Sequence, residues 1–154
     1  MPATKLKKFL ESRGIDYISI PHPPAFTAPE VAESAHVTGR GFAKTVIVKT
    51  EGILAMVLVP ANRKLVLSDL RDMLGTREVH LATEAEFAAR FPDCELGAMP
   101  PFGNLYDLPV YIAQELTEEP SIAFNAGTHD EVIAMPFAAF ASLTLPTVLQ
   151  LATV

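Results

Sequence analysis

Two runs rich in Val, Ile and Leu, residues 45–50 and 53–59, are separated by only Glu51-Gly52, and this pairing constrains the fold most. A two-residue spacer containing glycine supplies the positive φ of a tight turn, so the runs read as a hairpin. A hairpin this apolar needs other elements to cover it.

The flanking sequence supplies them. Leu6, Phe9 and Leu10 form one apolar stripe with lysines opposite and Gly14 beyond, which predicts a surface helix over 4–13. Residues 17–20 read as a short strand. Thr27-Ala28-Pro29-Glu30 has the spacing of a capping box with proline in the first turn, starting a helix through Ala35. Ser68 is the expected cap of a helix ending before Gly75. Residues 78–81 read as a strand, and Thr83-Glu84-Ala85-Glu86 as a second capping box leading to Phe91. Three further strands are expected at 109–113, 122–124 and 132–135, a late helix at 137–143 and a last short element at 148–152.

Strands and helices are intermixed without a strict βαβ rhythm, and several connections are too short for parallel crossovers. The expectation is an α+β chain forming one domain over 1–154, with a curved, mixed, mostly antiparallel, barrel-like sheet flanked by helices.

With 49% hydrophobic and 19% charged residues, the chain can bury a real core, which argues against a disordered protein. It has no charge-free run of apolar residues long enough to span a membrane, and its N-terminal stretch has no apolar signal core. The one cysteine, Cys94, cannot form an internal disulfide. A cytoplasmic protein is expected. The net charge of −6 hides an asymmetry. All 12 Lys and Arg lie between Lys5 and Arg90 with 10 carboxylates, whereas the remainder carries eight carboxylates and no Lys or Arg. A polyanion would approach the surface built by the first part, although lopsided charge is also common without such a role.

Three segments could carry chemistry. In Ala43-Lys44-Thr45-Val46-Ile47-Val48, alternation puts Lys44 on one face with Val46 and Val48. A buried ammonium there needs a partner or an anion; a strand-end lysine reaching to water explains the same pattern. Gly97-Ala98-Met99-Pro100-Pro101-Phe102-Gly103 is stiffened by two prolines, and its glycines permit unusual backbone geometry, so it can offer N–H groups to an oxyanion. An ordinary Pro/Gly loop has the same composition. Asn125-Ala126-Gly127-Thr128-His129-Asp130-Glu131 gathers an amide, a hydroxyl, an imidazole and carboxylates at a turn. His129 could act as a general base, or be a solvated turn histidine.

Other chemistries lack their signatures. His22, His36, His80 and His129 have no metal-ligand spacing, so no metal is expected. There is no Gly-x-Ser-x-Gly elbow and no phosphate-binding Walker loop. Asp93 and Glu95 beside Cys94 would raise its pKa, which disfavours an activated thiolate.

With these segments in order, the chain resembles the YbaK family, the editing-domain superfamily associated with bacterial prolyl-tRNA synthetase. The likeness runs through His22-Pro23-Pro24-Ala25-Phe26-Thr27, Ala43-Lys44-Thr45, the passage from Pro60 to Leu70, the Gly97–Gly103 loop and Asn125-Ala126-Gly127-Thr128. The resemblance implies a barrel-like mixed sheet and a free-standing aminoacyl-tRNA deacylase, independent of metal and cofactor. Its partner would be the aminoacylated 3′ end of tRNA, with a synthetase as a further possible partner. It implies catalytic roles for Lys44, Gly97 and His129. Substrate contacts would come from Phe26, Thr45, Ala98, Met99, Pro100, Pro101, Asn125, Gly127 and Thr128.

An aminoacyl ester is already activated, so positioned water and a stabilised carbonyl oxygen suffice for hydrolysis. Lys44 would anchor the terminal adenosine, and the Gly97 loop would cradle the carbonyl and reject large side chains. Water would be oriented by His129 or Thr128, or the ribose hydroxyl would assist; the residues leave these open. Two other readings fit the same segments: a non-catalytic aminoacyl- or nucleotide-binding module, and a regulatory protein acting through a protein partner.

Overall fold

The computed structural model describes residues 4–151. Its centre is the hairpin of β2 (Ala43–Thr50) and β3 (Ile53–Pro60), paired in antiparallel register from Thr50↔Ile53 to Ala43↔Pro60. Glu51 and Gly52 turn it with φ of 48° and 84°, the double positive φ of a type I′ turn. The remaining elements are α1 (Thr4–Ser12), β1 (Ile18–Pro21), α2 (Ala28–Ser34), α3 (Leu67–Leu74), β4 (His80–Leu81), α4 (Glu84–Phe87), β5 (Val110–Ala113), α5 (Gln114–Thr117), β6 (Ser121–Asn125), β7 (Glu131–Pro136), α6 (Phe137–Thr144) and β8 (Thr147–Leu149).

The strands form two sheets, in the orders β4-β2-β3-β5-β8 and β1-β7-β6. Within them β3-β5 and β5-β8 are parallel and the other four pairings antiparallel. A single bridge, Phe42↔Ala123, joins the sheets. The architecture is α+β with a mixed, mostly antiparallel strand arrangement, but the barrel does not close. The main core lies among α1, the hairpin and the second sheet: Leu6, Leu10, Met56 and Leu58 pack with Phe102, Phe124 and Phe140. Phe102 meets both of the other rings edge-on, at 5.4 and 5.3 Å between centroids, a favoured aromatic geometry.

Local chemistry explains where boundaries differ from expectation. Ser68 is not the cap of α3; the cap position is Val66, two residues earlier, with no side-chain cap, and the helix ends as expected at Gly75 (φ 68°). Strand β4 is half as long as expected. Side chains hold residues 76–78 instead: Thr50 Oγ1 donates to Glu78 O, and Arg77 N–H donates to Glu51 Oε1. The Thr83 capping box forms in full, with Thr83 N–H donating to Glu86 Oε1 and Glu86 N–H to Thr83 Oγ1. At α2 Thr27 Oγ1 accepts from Glu30 N–H, while the Glu30 carboxylate takes the Thr27 hydroxyl. The last short element is β8, and the expected end at Ala152 lies outside the described residues.

Candidate active site

The site forms where β2 loses its neighbour. The two-residue turn makes Thr50 and Ile53 a hydrogen-bonded pair. Counting back in twos, Val48, Val46 and Lys44 direct their backbone groups to β3, and Lys49, Ile47 and Thr45 direct theirs to the opposite edge. β4 covers that edge at Val48 and Lys49, and Ala82 N–H donates to Ile47 O at 2.9 Å. The chain then turns into α4 with Thr83 as its cap. Beside Thr45 the edge is open.

A cavity of about 430 Å³ fills the gap. Lys44, Thr45, Val46 and Ile47 line it from β2; Leu81, Ala82 and Phe87 line it from β4 and α4. Phe26, 71% exposed, and the first residues of α2 form a further wall. Gly97, Met99 and Asn125 complete it.

Lys44 is the one ionisable side chain among the described lining residues. Its Nζ donates to Arg63 O at 2.8 Å. Burial lowers its pKa below the ordinary lysine value, and the nearby Lys64 charge adds to this. Gly97 has φ 88°, and its N–H donates to Met99 Sδ at 3.2 Å. A thioether is a weak acceptor, so a carbonyl oxygen can replace it.

The loop around Gly97 is held by the turn that follows β6. Glu95 N–H donates to Gly127 O, and Gly127 N–H donates to Ala98 O. His129 N–H donates to Glu95 Oε1 at 2.7 Å, and His129 Nε2 donates to Leu96 O at 2.9 Å. A carbonyl only accepts, so Nε2 is the donor, and Nδ1 is buried with no partner among the described residues. Phe26 packs on the His129 ring at 4.7 Å. Its segment is clipped to the same turn by Ala25 N–H to His129 O and His22 N–H to Asp130 O.

Phe26, Lys44, Thr45, Gly97, Met99 and Asn125 therefore line one cavity. Ala98, Pro100 and Pro101, in the loop itself, are buried and do not line the cavity. Gly127, Thr128 and His129 stand behind it, and the Thr128 hydroxyl donates to Asp130 Oδ1. Sequence reasoning passed over Ile47, Leu81, Ala82 and Phe87. Apolar residues in periodic elements look like core, and nothing local distinguishes those that border a gap.

The basic and acidic parts of the chain interdigitate, through Lys7–Glu131, Arg40–Glu119 and Arg63–Glu115. The Cys94 thiol is pushed up to about 11 mainly by burial, with Asp93 a smaller contributor.

The model of the aminoacyl-tRNA editing domain matches residues 22–143, an interval containing every residue that lines the cavity. The chain belongs to that family. A solved candidate trans-editing enzyme for prolyl-tRNA synthetase superposes with a TM-score of 0.82 at 23% identity, over 97% of this chain and 96% of that one. A hypothetical protein superposes with a TM-score of 0.84 at 18% identity, over 97% of this chain and 99% of that one. These likenesses show the editing-domain fold. No curated protein sequence matches the chain. Family membership supports an editing function, with aminoacyl-tRNA as the implied ligand. Among the described residues no helix is long and apolar enough to cross a membrane.

Proposed function

We propose that this editing domain is a trans-acting deacylase that hydrolyses the ester of mischarged aminoacyl-tRNA and releases a small amino acid. The observation that carries the reading is that Lys44 and Gly97, whose N–H is held only by a thioether, line one cavity. One lysine in an otherwise uncharged lining suits a terminal adenosine with its phosphate. A donor held only by sulfur suits an ester carbonyl, whose oxygen takes the place of Met99 Sδ and gains negative charge as water adds. Water oxygen bonds to the carbonyl carbon, the bond to the ribose oxygen breaks, and a proton passes to that oxygen. The exposed ring of Phe26 offers a stacking surface for the adenine.

His129 enters this scheme as a positioning residue, because its ring is bonded to Leu96 O and stands behind the loop, outside the cavity lining. Water activation then falls to ordered water or the ribose hydroxyl. Apolar Ile47, Phe87 and Met99 bound the space for the amino-acid side chain and favour small ones. A synthetase could supply the mischarged tRNA. The test is single-turnover deacylation of a panel of mischarged tRNAs by the native chain and by Lys44→Ala. Hydrolysis of a small-residue ester that falls at least about 10-fold in the variant supports the proposal; a native chain inert on the whole panel refutes it in favour of a non-catalytic binding module.

A further inference from the structure

The proposed function uses one cation, and a second stands beside it. Lys44 pairs with Val59 in the hairpin register, so it lies next to the turn that follows β3, where Arg63 N–H donates to Pro60 O. Lys44 Nζ donates to Arg63 O at 2.8 Å, and that carbonyl belongs to the peptide unit joining Arg63 to Lys64. Standard backbone dimensions therefore put Lys64 Cα within roughly 6 Å of the Lys44 ammonium. Lys64 is close enough for its charge to oppose that of Lys44. The other cations at this end of the sheet are neutralised: Arg40 pairs with Glu119 at 3.4 Å and Arg63 with Glu115 at 3.6 Å. Lys64 is exposed and makes no salt bridge among the described residues. Like charges held side by side are unfavourable until an anion joins them.

We infer that Lys64 binds the RNA strand just outside the cavity, receiving the phosphodiester that precedes the one held by Lys44. This rests on the deacylase reading for the direction of the strand. With the ester at Gly97 and the terminal phosphate at Lys44, the rest of the 3′ end continues from that phosphate on its 5′ side, and the next unneutralised cation is Lys64. Arg63 is less suited, because its guanidinium is shared with Glu115. On a chain of net charge −6 a polyanion is repelled by much of the surface, so free cations beside the cavity set its path. A lysine ammonium is a compact point charge that holds a phosphate without reading a base. The subsite therefore fixes how far the strand enters and leaves its sequence unread.

Two non-hydrolysable probes test this, both ending in 3′-amino-3′-deoxyadenosine acylated with alanine: its 5′-monophosphate, and the trinucleotide CCA, which adds the preceding phosphodiester. Kd is measured by calorimetry between about 0.05 and 0.2 M salt. Lys64→Ala should reduce the log–log salt slope of the trinucleotide by about 0.7, the value for one single-strand phosphate, and leave that of the monophosphate unchanged. At the lowest salt it should weaken the trinucleotide about 3- to 5-fold, and Lys64→Arg should restore native binding. Arg77→Ala, which removes an exposed cation beside Glu51 at the far end of the hairpin, should match the native chain throughout. An unchanged trinucleotide slope in Lys64→Ala, an equal loss for both probes, an equal loss in Arg77→Ala, or no binding of either probe by the native chain overturns the inference. Hydrolysis of the mischarged tRNA panel is measured in parallel. Lys64-dependent binding without hydrolysis leaves the phosphate subsite standing and removes the deacylase reading; hydrolysis with a slope independent of Lys64 does the reverse.

Discussion

Replacing Gly97 by alanine separates a backbone cost from a catalytic one. Gly97 has φ 88°, and a Cβ there would sit 3.4 Å from His129 Cε1, which is ordinary contact. The cost is therefore the left-handed backbone, about 1–2 kcal/mol for an L residue. For a chain of 154 residues that lowers Tm by roughly 2–8 °C. Gly52→Ala is the matched control. Gly52 has φ 84° with nothing within 4 Å of the added Cβ, and it turns the hairpin away from the cavity. The two variants should melt alike. Their activity should not be alike. Relaxing residue 97 toward negative φ swings its N–H away from the position facing Met99 Sδ, and loss of such a donor is worth about 10²–10³ in rate. Because the swing is partial, a fall in single-turnover deacylation of at least about 10-fold is expected for Gly97→Ala, with native rates for Gly52→Ala. Equal melting temperatures with native deacylation by Gly97→Ala would refute the donor role of this N–H.

Other perturbations test packing and charge. A Cβ on Gly103 would lie 2.3 Å from Leu108 O and 2.6 Å from Val110 Cγ2, so Gly103→Ala should cost about 3 kcal/mol or more and drop Tm by roughly 6–12 °C. A melt within 2 °C of native would show that the loop gives way freely. The Thr83 N–H, with Lys49 beside it, holds the Glu86 carboxyl at about 2 rather than 4.5. Its stabilisation is whole above pH 4.5 and is lost as pH falls toward 2, so Glu86→Gln should melt below native at pH 7 and converge with it near pH 2. A gap that persists at pH 2 contradicts this. Burial raises the Cys94 thiol from 9.0 to about 11, so it favours the fold below pH 9 and that contribution fades between pH 9 and 11. Cys94→Ala should flatten the fall in Tm across that window, and parallel curves would exclude the thiol as its source.

The hairpin shows how much was legible in residue order alone. Alternating Val and Ile around Glu51-Gly52 specify both strands and their turn, because side-chain period and positive φ are local properties. The Thr83 capping box and the Gly75 stop are local for the same reason. Ser68 misled, because its position resembles a cap whereas the chain enters α3 from Val66. The segments of the site were also visible, since Lys44, the Gly97 loop and the turn from Asn125 carry polar or conformationally special residues.

Their meeting was not visible. It depends on β4 stopping after two residues, which opens the β2 edge beside Thr45, and on four hydrogen bonds between the Gly97 loop and the turn from Gly127 to His129. The surroundings of His129 were settled in the same way. Its residue type permits a general base, whereas the bond to Leu96 O and its place outside the cavity lining support the positioning role proposed above. Local propensity acts over a few residues. Which backbone groups stay unpaired, and what they face, is settled only when segments distant in the chain compete for the same hydrogen bonds.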